Sequence, residues 1–198
     1  MILAALLNYE GKVKDFQYPE GIDEYIEIDQ KGIGAACNLA LYNAFEVLRA
    51  DYLLLLANDI VEPKDTIQRR LELFKYPNAG IVTTAIAPMR TKTAPQIAGN
   101  FMISKKTFDK IGYYTTEWDN SYGAIDLHYS YRNHLVGLKN LITENTSRHL
   151  DNGDTAYGFS KKQALQTTLK EYGAWKRNPT IYYNSEGQPV TNLKIKTI

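Results

Sequence analysis

An Asn-Asp pair at the end of an apolar run carries the clearest chemistry in this sequence. Residues 52–57 read Tyr-Leu-Leu-Leu-Leu-Ala, and Asn58 and Asp59 follow directly. A continuously apolar run of this length is typical of a strand buried on both faces, and open α/β sheets bind ligands at the carboxyl ends of such strands. A carboxylate there can hold Mg²⁺ or Mn²⁺, hard cations that bind through oxygen and bridge diphosphates.

A glycine-bearing turn upstream is a second candidate, this time for binding an anion. Residues 30–38 read Gln-Lys-Gly-Ile-Gly-Ala-Ala-Cys-Asn and lead from a short apolar segment into a helical pattern. The first amides of a helix and its dipole favour anions. The dinucleotide-binding fingerprint does not fit. Gly32 and Gly34 match its first two glycines, but Cys37 stands at the third, and the turn does not directly follow the first strand as the fingerprint requires.

The elements that must position these residues follow from periodicity. Short apolar runs alternate with helical patterns, which predicts an α/β fold with a mostly parallel central sheet flanked by helices. Strands are expected at 2–7, 25–28, 52–57, 80–87, 94–104 and 138–143, and helices at 34–49, after Pro63, from Ser104 to Gly112, and at 126–135. We expect one domain over residues 1–159 and an appendage over 160–198, formed by a short basic helix with a capping-box start and a closing hairpin at 180–195.

Composition places the chain among folded globular proteins. It has 198 residues, of which 44% are hydrophobic and 23% charged, so disorder is not expected over most of its length. The single Cys37 excludes an internal disulfide framework and cysteine-rich zinc sites. No apolar run approaches the roughly 20 residues that cross a bilayer, and residues 2–7 lack the basic flank of a signal peptide. These features predict a cytoplasmic protein, of a bacterial or phage-infected cell if the compact size reflects a mobile-element gene.

The charge is unevenly distributed along the chain. Residues 160–198 carry seven Lys/Arg and two acidic residues, a net charge of +5, while the first 159 residues carry 16 Lys/Arg and 20 acidic residues, a net charge of −4. The acidic part suits metal or cation chemistry. The basic part is typical either of a solvated helix or of a segment that contacts an anionic partner such as nucleic acid or a membrane surface.

The order of the motifs resembles that of the family 2 glycosyltransferases with the GT-A fold. In that family an N-x-G…N pattern opens a helix, and an apolar strand then ends in a D-x-D-like motif. Residues 30–32 (Gln-Lys-Gly) with Asn38 resemble the first pattern, and residues 57–59 (Ala-Asn-Asp) resemble the second without its first acidic residue. The resemblance implies Asp59 as a ligand to Mn²⁺ or Mg²⁺, and Gly32, Asn38 and Asn58 as donor-binding residues.

The resemblance extends over roughly residues 25–150. Residues 99–104 (Gly-Asn-Phe-Met-Ile-Ser) and 111–114 (Ile-Gly-Tyr-Tyr) resemble the acceptor-side segment of the family, which implies Gly99, Asn100 and Trp118 on the acceptor side. Residues 122–127 with Arg132 resemble its E-D-x-D-L…R region, although Gly123 and Ala124 replace the acidic pair. The general base that an inverting transfer needs is then implied to be Asp126 first and Asp119 second, and Arg132 is expected to be structural.

Two further positions complete the implied site. His149, expected just after the last strand, resembles a second protein ligand to the metal, and its imidazole favours Mn²⁺ over Mg²⁺; the adjacent Arg148 is implied to contact the diphosphate. Asn8 and Tyr9, at the end of the first strand, resemble the corner that recognises the nucleotide base. The segment before Gly32 is short for the family, and neither Asp23 nor Asp29 is a clear counterpart of its second-strand aspartate.

The resemblance thus implies a metal-dependent glycosyltransferase that uses a nucleoside diphosphate sugar, with UDP-sugars favoured. Its acceptor hydroxyl would belong to a saccharide or to a modified base in DNA. Two alternatives stay open. The altered acidic motifs also fit a GT-A-like domain that binds without turnover, whereas a nucleotidyltransferase of related fold would need a glycine-rich, basic loop that residues 8–12 (Asn-Tyr-Glu-Gly-Lys) match poorly. The sequence leaves the oligomeric state undetermined.

Overall fold

The computed structural model describes residues 1–87, 100–114, 129–130, 132–133, 136–150, 182–183 and 189–190. Its strands are β1 (Ile2–Leu7), β2 (Glu24–Ile28), β3 (Tyr52–Ala57), β4 (Ile60–Val61), β5 (Ala79–Ala87), β6 (Phe101–Ser104) and β7 (Lys139–His149). They form one sheet in the order β2-β1-β3-β6-β5-β7-β4. Only β4 and β6 run against the other five strands, so the sheet is mostly parallel, as the sequence predicted.

Three helices that flank this sheet are described from end to end: α1 (Ile33–Tyr42), α2 (Thr66–Phe74) and α3 (Lys105–Ile111). A single 3₁₀ turn, Tyr9–Gly11, follows β1. Ser104 caps α3 by accepting a hydrogen bond from the amide of Thr107, and the helix ends at Gly112, as predicted. None of the described helices has both the length and the apolar character needed to span a membrane.

Strand β3 is buried on both faces, which confirms the prediction made from its leucine run. Leu53 and Leu55 pack in one core cluster with residues of α1 and α3, whereas Leu54 and Leu56 pack in a second cluster with Ile67 of α2. Each fully buried leucine contributes about 1.5–3 kcal/mol relative to an exposed one. The two clusters fix the central strand, and therefore the turn that follows it.

The helix after β2 is shorter than predicted. The sequence favoured one helix over 34–49, but α1 ends at Tyr42 and a π-helical turn, Asn43–Val47, replaces the last part. The side chain of Asn43 donates to the carbonyl of Leu39, and the amide of Leu48 bonds five residues back to Asn43. Such side-chain bonds to the preceding turn compete with regular helix geometry. Phe45 stays buried within this turn, stacked on Phe108 at 5.0 Å between ring centroids.

Strand β7 is longer than predicted. The sequence indicated a strand at 138–143 followed by a loop, whereas β7 runs from Lys139 to His149. Thr143 of β7 pairs with Thr84 of β5, and Thr146 then pairs with Ala85, so a register shift lies between these two pairs. The shift accommodates the polar residues in the middle of β7. Because strand pairing uses backbone groups, a run of polar side chains does not prevent it. His149 is therefore the last residue of a strand and not part of a loop.

The carboxyl edge of the parallel strands is where ligands are expected. Strand β1 lies between β2 and β3, and all three are parallel. The chain passes from β1 to β2 on one side and then to β3 on the other, which makes the end of β1 a topological switch point. Asn8, Asp29 and Asn58 directly follow these three strands.

Some predicted elements are described only in part. Tyr129, Ser130, Arg132 and Asn133 are helical, in agreement with the helix predicted at 126–135. Strand β8 (Tyr182–Tyr183) pairs antiparallel with β9 (Pro189–Val190), as the predicted hairpin requires. The helix predicted from Ser160, the segment 94–99 and the boundary near residue 159 lie outside the described residues.

Candidate functional site

The structure brings together the two residues predicted as metal ligands. Strand β4 pairs antiparallel with the end of β7, so that Ile60 lies opposite His149 and Val61 opposite Arg148. The amide of Leu150 donates to the carbonyl oxygen of Asp59 at 2.7 Å. The backbones of Asp59 and His149 are therefore neighbours across two paired strands, although they are far apart in the sequence.

Asp59 lies in a tight turn at the carboxyl end of β3. Asn58 and Asp59 connect β3 to β4, and both are partly exposed. Arg148 is exposed on β7, opposite Val61 on one side and Ala87 on the other. A carboxylate, an amide and a guanidinium are thus carried by adjacent backbone segments at one end of the sheet. Oxygen ligands and a cationic side chain together are suited to a metal-bound diphosphate.

The turn before α1 supplies the anion-binding geometry that the sequence indicated. Gly32 is the residue that precedes α1 and has a φ of 90°, in the region that favours glycine. Helix α1 begins five residues after β2 ends, so its amino terminus lies at the carboxyl edge of the sheet. The positive end of a helix dipole at this edge favours a phosphate group.

The turn after β1 exposes an aromatic ring at the switch point. Tyr9 is 37% exposed, and the ammonium of Lys12 lies 5.7 Å from the centroid of its ring. The amide of Glu10 donates to a carboxylate oxygen of Asp29 at 2.7 Å. Asp29 therefore lies beside this turn, at the carboxyl end of β2. The sequence did not identify Asp29 as a clear counterpart of the second-strand aspartate, and the pairing of β1 with β2 shows its position.

Two asparagines predicted to contact the donor bind the protein's own backbone. Asn8 is buried, and its amide both donates to the carbonyl of Val13 at 2.9 Å and accepts from the amide of Val13 at 3.0 Å. Asn38 makes the same pair of bonds with Tyr114, at 3.0 and 2.7 Å. These contacts tie both side chains to loops around the site, and the donor contacts that the resemblance implies for them stay predictions.

Asn100, which the resemblance implies on the acceptor side, likewise makes hydrogen bonds within the protein. Its side chain is completely buried, with the carbonyl oxygen accepting from the amide of Ala57 at 2.6 Å. Its amide nitrogen donates to a carboxylate oxygen of Glu62 at 2.9 Å. Asn100 therefore joins the two ends of the segment that contains Asp59, since Ala57 precedes it and Glu62 follows it.

Glu62 and Arg70 form a buried ion pair that the sequence analysis missed. Their side chains are 1% and 0% exposed, and the guanidinium Nη2 lies 2.7 Å from the carboxylate. Thr66 donates to the other carboxylate oxygen at 2.8 Å and accepts from the Nε of Arg70 at 3.1 Å. Removal from water lowers the pKa of Arg70, an effect that the charge of Glu62 opposes. The sequence signal for this contact was a spacing of four residues, which separates Glu62 from Thr66 and Thr66 from Arg70.

The remaining predicted residues divide into one structural residue and several outside the described part. The guanidinium of Arg132 is buried and donates to the carbonyls of Ile111 and Tyr113, which agrees with its expected structural role. Gly99, Trp118, Asp119 and Asp126 lie outside the described residues, as does the side chain of His149. Among the described side chains, no group of three or more His, Cys, Asp or Glu could hold a metal ion.

Comparisons with known proteins give matches only among solved structures. No family model matches the chain, and no curated protein matches it. A mannosyltransferase from Pyrobaculum calidifontis, in complex with GDP-Man and Mn²⁺, superposes with a TM-score of 0.65 at 13% identity over 87% of this chain. The match covers 64% of the mannosyltransferase chain, so the present chain spans less than two thirds of that protein.

Two further glycosyltransferases have similar folds. Glucosyl-3-phosphoglycerate synthase from Mycobacterium tuberculosis, in complex with Mg²⁺ and UDP, gives a TM-score of 0.55 at 13% identity, covering 87% of this chain and 79% of its own. A Drosophila β1,4-galactosyltransferase 7 complex with manganese, UDP-Gal and xylobiose gives 0.54 at 12% identity, covering 79% and 72%. At these identities the likeness concerns the fold. The chain has the GT-A-like fold of nucleotide-sugar glycosyltransferases, as the motif order predicted.

Proposed function

We propose that this protein is a metal-dependent glycosyltransferase that moves a sugar from a nucleoside diphosphate sugar to an acceptor hydroxyl. The observation that carries the proposal is the pairing of β4 with β7, which sets Asp59 beside His149 at the carboxyl edge of the sheet. The amino terminus of α1 lies at the same edge. Three proteins of similar fold hold a nucleotide or nucleotide sugar with Mn²⁺ or Mg²⁺, which supports the same ligand class here.

Asp59 and His149 carry the kinds of donor atom that a divalent cation takes in proteins. The carboxylate of Asp59 and an imidazole at position 149 would supply two protein ligands, and diphosphate oxygens and water would complete the coordination. Such a cation offsets the negative charge that builds up on the leaving diphosphate, a contribution of several kcal/mol to catalysis. The imidazole makes Mn²⁺ the first metal to test, with Mg²⁺ as the comparison.

The residues around the edge suggest how the donor is held. The diphosphate would lie near the first turn of α1 after Gly32, with the guanidinium of Arg148 and the amide of Asn58 as further contacts. The ring of Tyr9 is exposed at the switch point and would stack on the nucleotide base. Asp29, held against the Tyr9–Gly11 turn by the amide of Glu10, would accept a hydrogen bond from an N–H of the base. A uracil base offers such a group, so UDP-sugars are tested first.

The chemical step would be a direct displacement with inversion. The acceptor hydroxyl oxygen attacks the anomeric carbon, and the bond from that carbon to the diphosphate oxygen breaks, its electron pair leaving with the diphosphate. Asp126, or Asp119 in its place, takes the hydroxyl proton. The acceptor is a saccharide, or a hydroxylated base in DNA, for which the +5 charge of residues 160–198 would contribute phosphate contacts.

A donor-hydrolysis assay tests the proposal without knowledge of the acceptor. The wild-type protein is incubated with a panel of nucleotide sugars, with Mn²⁺ or with chelator, and release of the nucleoside diphosphate is measured. Turnover should require metal. Asp59→Asn should lower it by roughly 100-fold, since losing about 3 kcal/mol of transition-state stabilisation has that effect.

Asp109→Asn is the matched control for Asp59→Asn. Asp109 is exposed on α3, where it pairs with Lys105 near the opposite edge of the sheet, so this variant should hydrolyse the donor at the wild-type rate. Metal-dependent donor binding without any turnover would instead favour the binding-only domain. A rate of donor hydrolysis that is unchanged by chelator would contradict the metal site.

A further inference from the structure

A network of buried polar side chains lies directly behind the segment that contains Asp59. Glu62 accepts hydrogen bonds from Arg70, Asn100 and Thr66, and Asn100 in turn accepts from the amide of Ala57. Both ends of the six-residue segment from Ala57 to Glu62 are therefore tied to Asn100. The turn that contains Asp59 cannot move as a unit without breaking these bonds.

The same network reaches the strand that ends at His149. The Nη2 of Arg70 lies 3.5 Å from the hydroxyl of Thr84, and that hydroxyl is hydrogen-bonded to the hydroxyl of Ser147. Thr84 and Ser147 are 1% and 0% exposed. Ser147 is two residues before His149 on β7. A continuous chain of buried contacts thus joins the Asp59 turn to the end of β7, in addition to the pairing of β4 with β7.

Burial of this ion pair is not explained by stability alone. Two charges that are buried lose hydration free energy, and their mutual attraction does not reliably offset this loss. Well-packed apolar residues often stabilise a core equally well. Arg70 also lies beside the apolar stripe of α2 to which Ile67 belongs. What the charged pair supplies, and an apolar pair would not, is a set of directional bonds to Asn100, Thr66 and Thr84.

We infer that Glu62, Arg70, Asn100, Thr84 and Ser147 are positioning residues that set the separation of Asp59 and His149 for the divalent cation. The inference rests on the proposed function. None of these side chains contacts the cation; they fix the backbone segments from which its ligands extend. Outer contacts of this kind, when removed, weaken metal binding by about 10- to 100-fold.

The test compares the Mn²⁺ affinities of paired variants of the full chain. Each affinity is measured in the presence of UDP from the paramagnetic resonance signal of free Mn²⁺. Glu62→Gln should weaken Mn²⁺ binding by about 10- to 100-fold. Glu72→Gln is its control, because Glu72 is exposed on α2, the helix that carries Arg70, and this variant should bind as the wild type does. Thr84→Val removes the hydroxyl that joins Arg70 to Ser147 and should also weaken binding, whereas Thr84→Ser retains it and should restore the affinity.

The outcomes separate this inference from the proposed function. Thermal unfolding is recorded for every variant, so that lost stability is distinguished from lost affinity. If Glu62→Gln does not fold, the Thr84→Val and Thr84→Ser pair decides the question. Variants that are less stable but bind Mn²⁺ as the wild type does would overturn the inference and leave the glycosyltransferase proposal intact. A wild-type protein that neither binds Mn²⁺ nor hydrolyses a nucleotide sugar would overturn both.

Discussion

The amide of Leu150 lies 2.7 Å from the carbonyl oxygen of Asp59 and donates a hydrogen bond to it. This bond extends the pairing of the two-residue strand β4 with β7, in which Ile60 lies opposite His149. So short a strand contributes little to stability. Its effect is geometric, because it holds the turn after β3 against the end of β7. Two chain segments that carry the predicted metal ligands are thereby kept side by side.

The identity of the residue at position 149 should set the metal preference. We expect His149→Asp to shift the preference of donor hydrolysis from Mn²⁺ towards Mg²⁺, because carboxylate oxygen suits Mg²⁺ and imidazole suits the softer transition metals. The ratio of initial rates with the two metals measures the shift. His149→Ala is the comparison and should lower the rate with both metals.

Identical Mn²⁺ to Mg²⁺ ratios in the wild type, His149→Asp and His149→Ala would show that position 149 does not bind the cation. Circular dichroism should accompany the rates, because Asp is disfavoured in strands and position 149 ends β7.

Asn38 should prove to be a structural residue. Asn38→Ala removes two hydrogen bonds to the backbone of Tyr114, each worth about 0.5–1.5 kcal/mol, so the free energy of unfolding should fall by roughly 2 kcal/mol. The Kd for UDP should change little. Denaturant unfolding and a UDP titration measure the two quantities. Asn43→Ala, which loses only one exposed bond to Leu39, is the control and should cost less stability. A large loss of UDP affinity at unchanged stability would restore Asn38 as a donor contact.

The central strand and its ligand-bearing turn could be predicted because their signals are local. The leucine run of β3 indicates burial on both faces, and the position of Asp59 at its end follows from the direction of the chain. The turn at Gly32 is equally local, since a helix start and a residue with positive φ are both visible in the sequence. The order of these local features along the chain is what resembles the GT-A glycosyltransferases.

The hydrogen-bond partners of the asparagines could not be predicted, because an amide in a sequence does not reveal its partner. Asn38 binds Tyr114, which lies 76 residues further along the chain, and Asn100 binds a backbone amide 43 residues before it. The polar residues of β7 were predicted as a loop for a similar reason, because the strands that pair with β7 are distant from it in the sequence. The burial of Glu62 and Arg70 likewise depends on the packing of α2 against the sheet.

Gly80 should tolerate no larger side chain while Asn133 is present. Gly80 is buried in β5, and a Cβ at this position would overlap the side-chain amide of Asn133, which itself donates to Asn140 at 2.7 Å. Overpacking of this kind costs about 1–3 kcal/mol, and Gly80→Ala should lower the free energy of unfolding by that amount. The check is a double-mutant cycle with Asn133→Ala, in which the penalty of Gly80→Ala should largely disappear. Additive losses in the double variant would rule out the clash.

Tyr129 should make the protein sensitive to alkaline pH. Its ring is buried and stacked on Tyr114 at 3.9 Å, and its hydroxyl donates to the carbonyl of Gly112 at 2.8 Å. Burial raises the pKa of Tyr129 above the ordinary value of 10.0, so the folded state keeps the proton while the unfolded state loses it. The stability linked to this group is therefore present below pH 10 and declines as the pH rises further.

Tyr129→Phe should accordingly have two opposite effects. At neutral pH the lost hydrogen bond should cost about 1 kcal/mol, whereas above pH 10 the free energy of unfolding should decline less steeply than in the wild type. Tyr18→Phe is the comparison: burial raises the pKa of Tyr18 to about 12, so the stability linked to Tyr18 is present below pH 10 and is lost between pH 10 and about 12. Urea unfolding at a series of pH values measures both slopes. Curves for wild type and Tyr129→Phe that stay parallel above pH 10 would mean that the Tyr129 phenol ionises as readily in the folded chain as in the unfolded one.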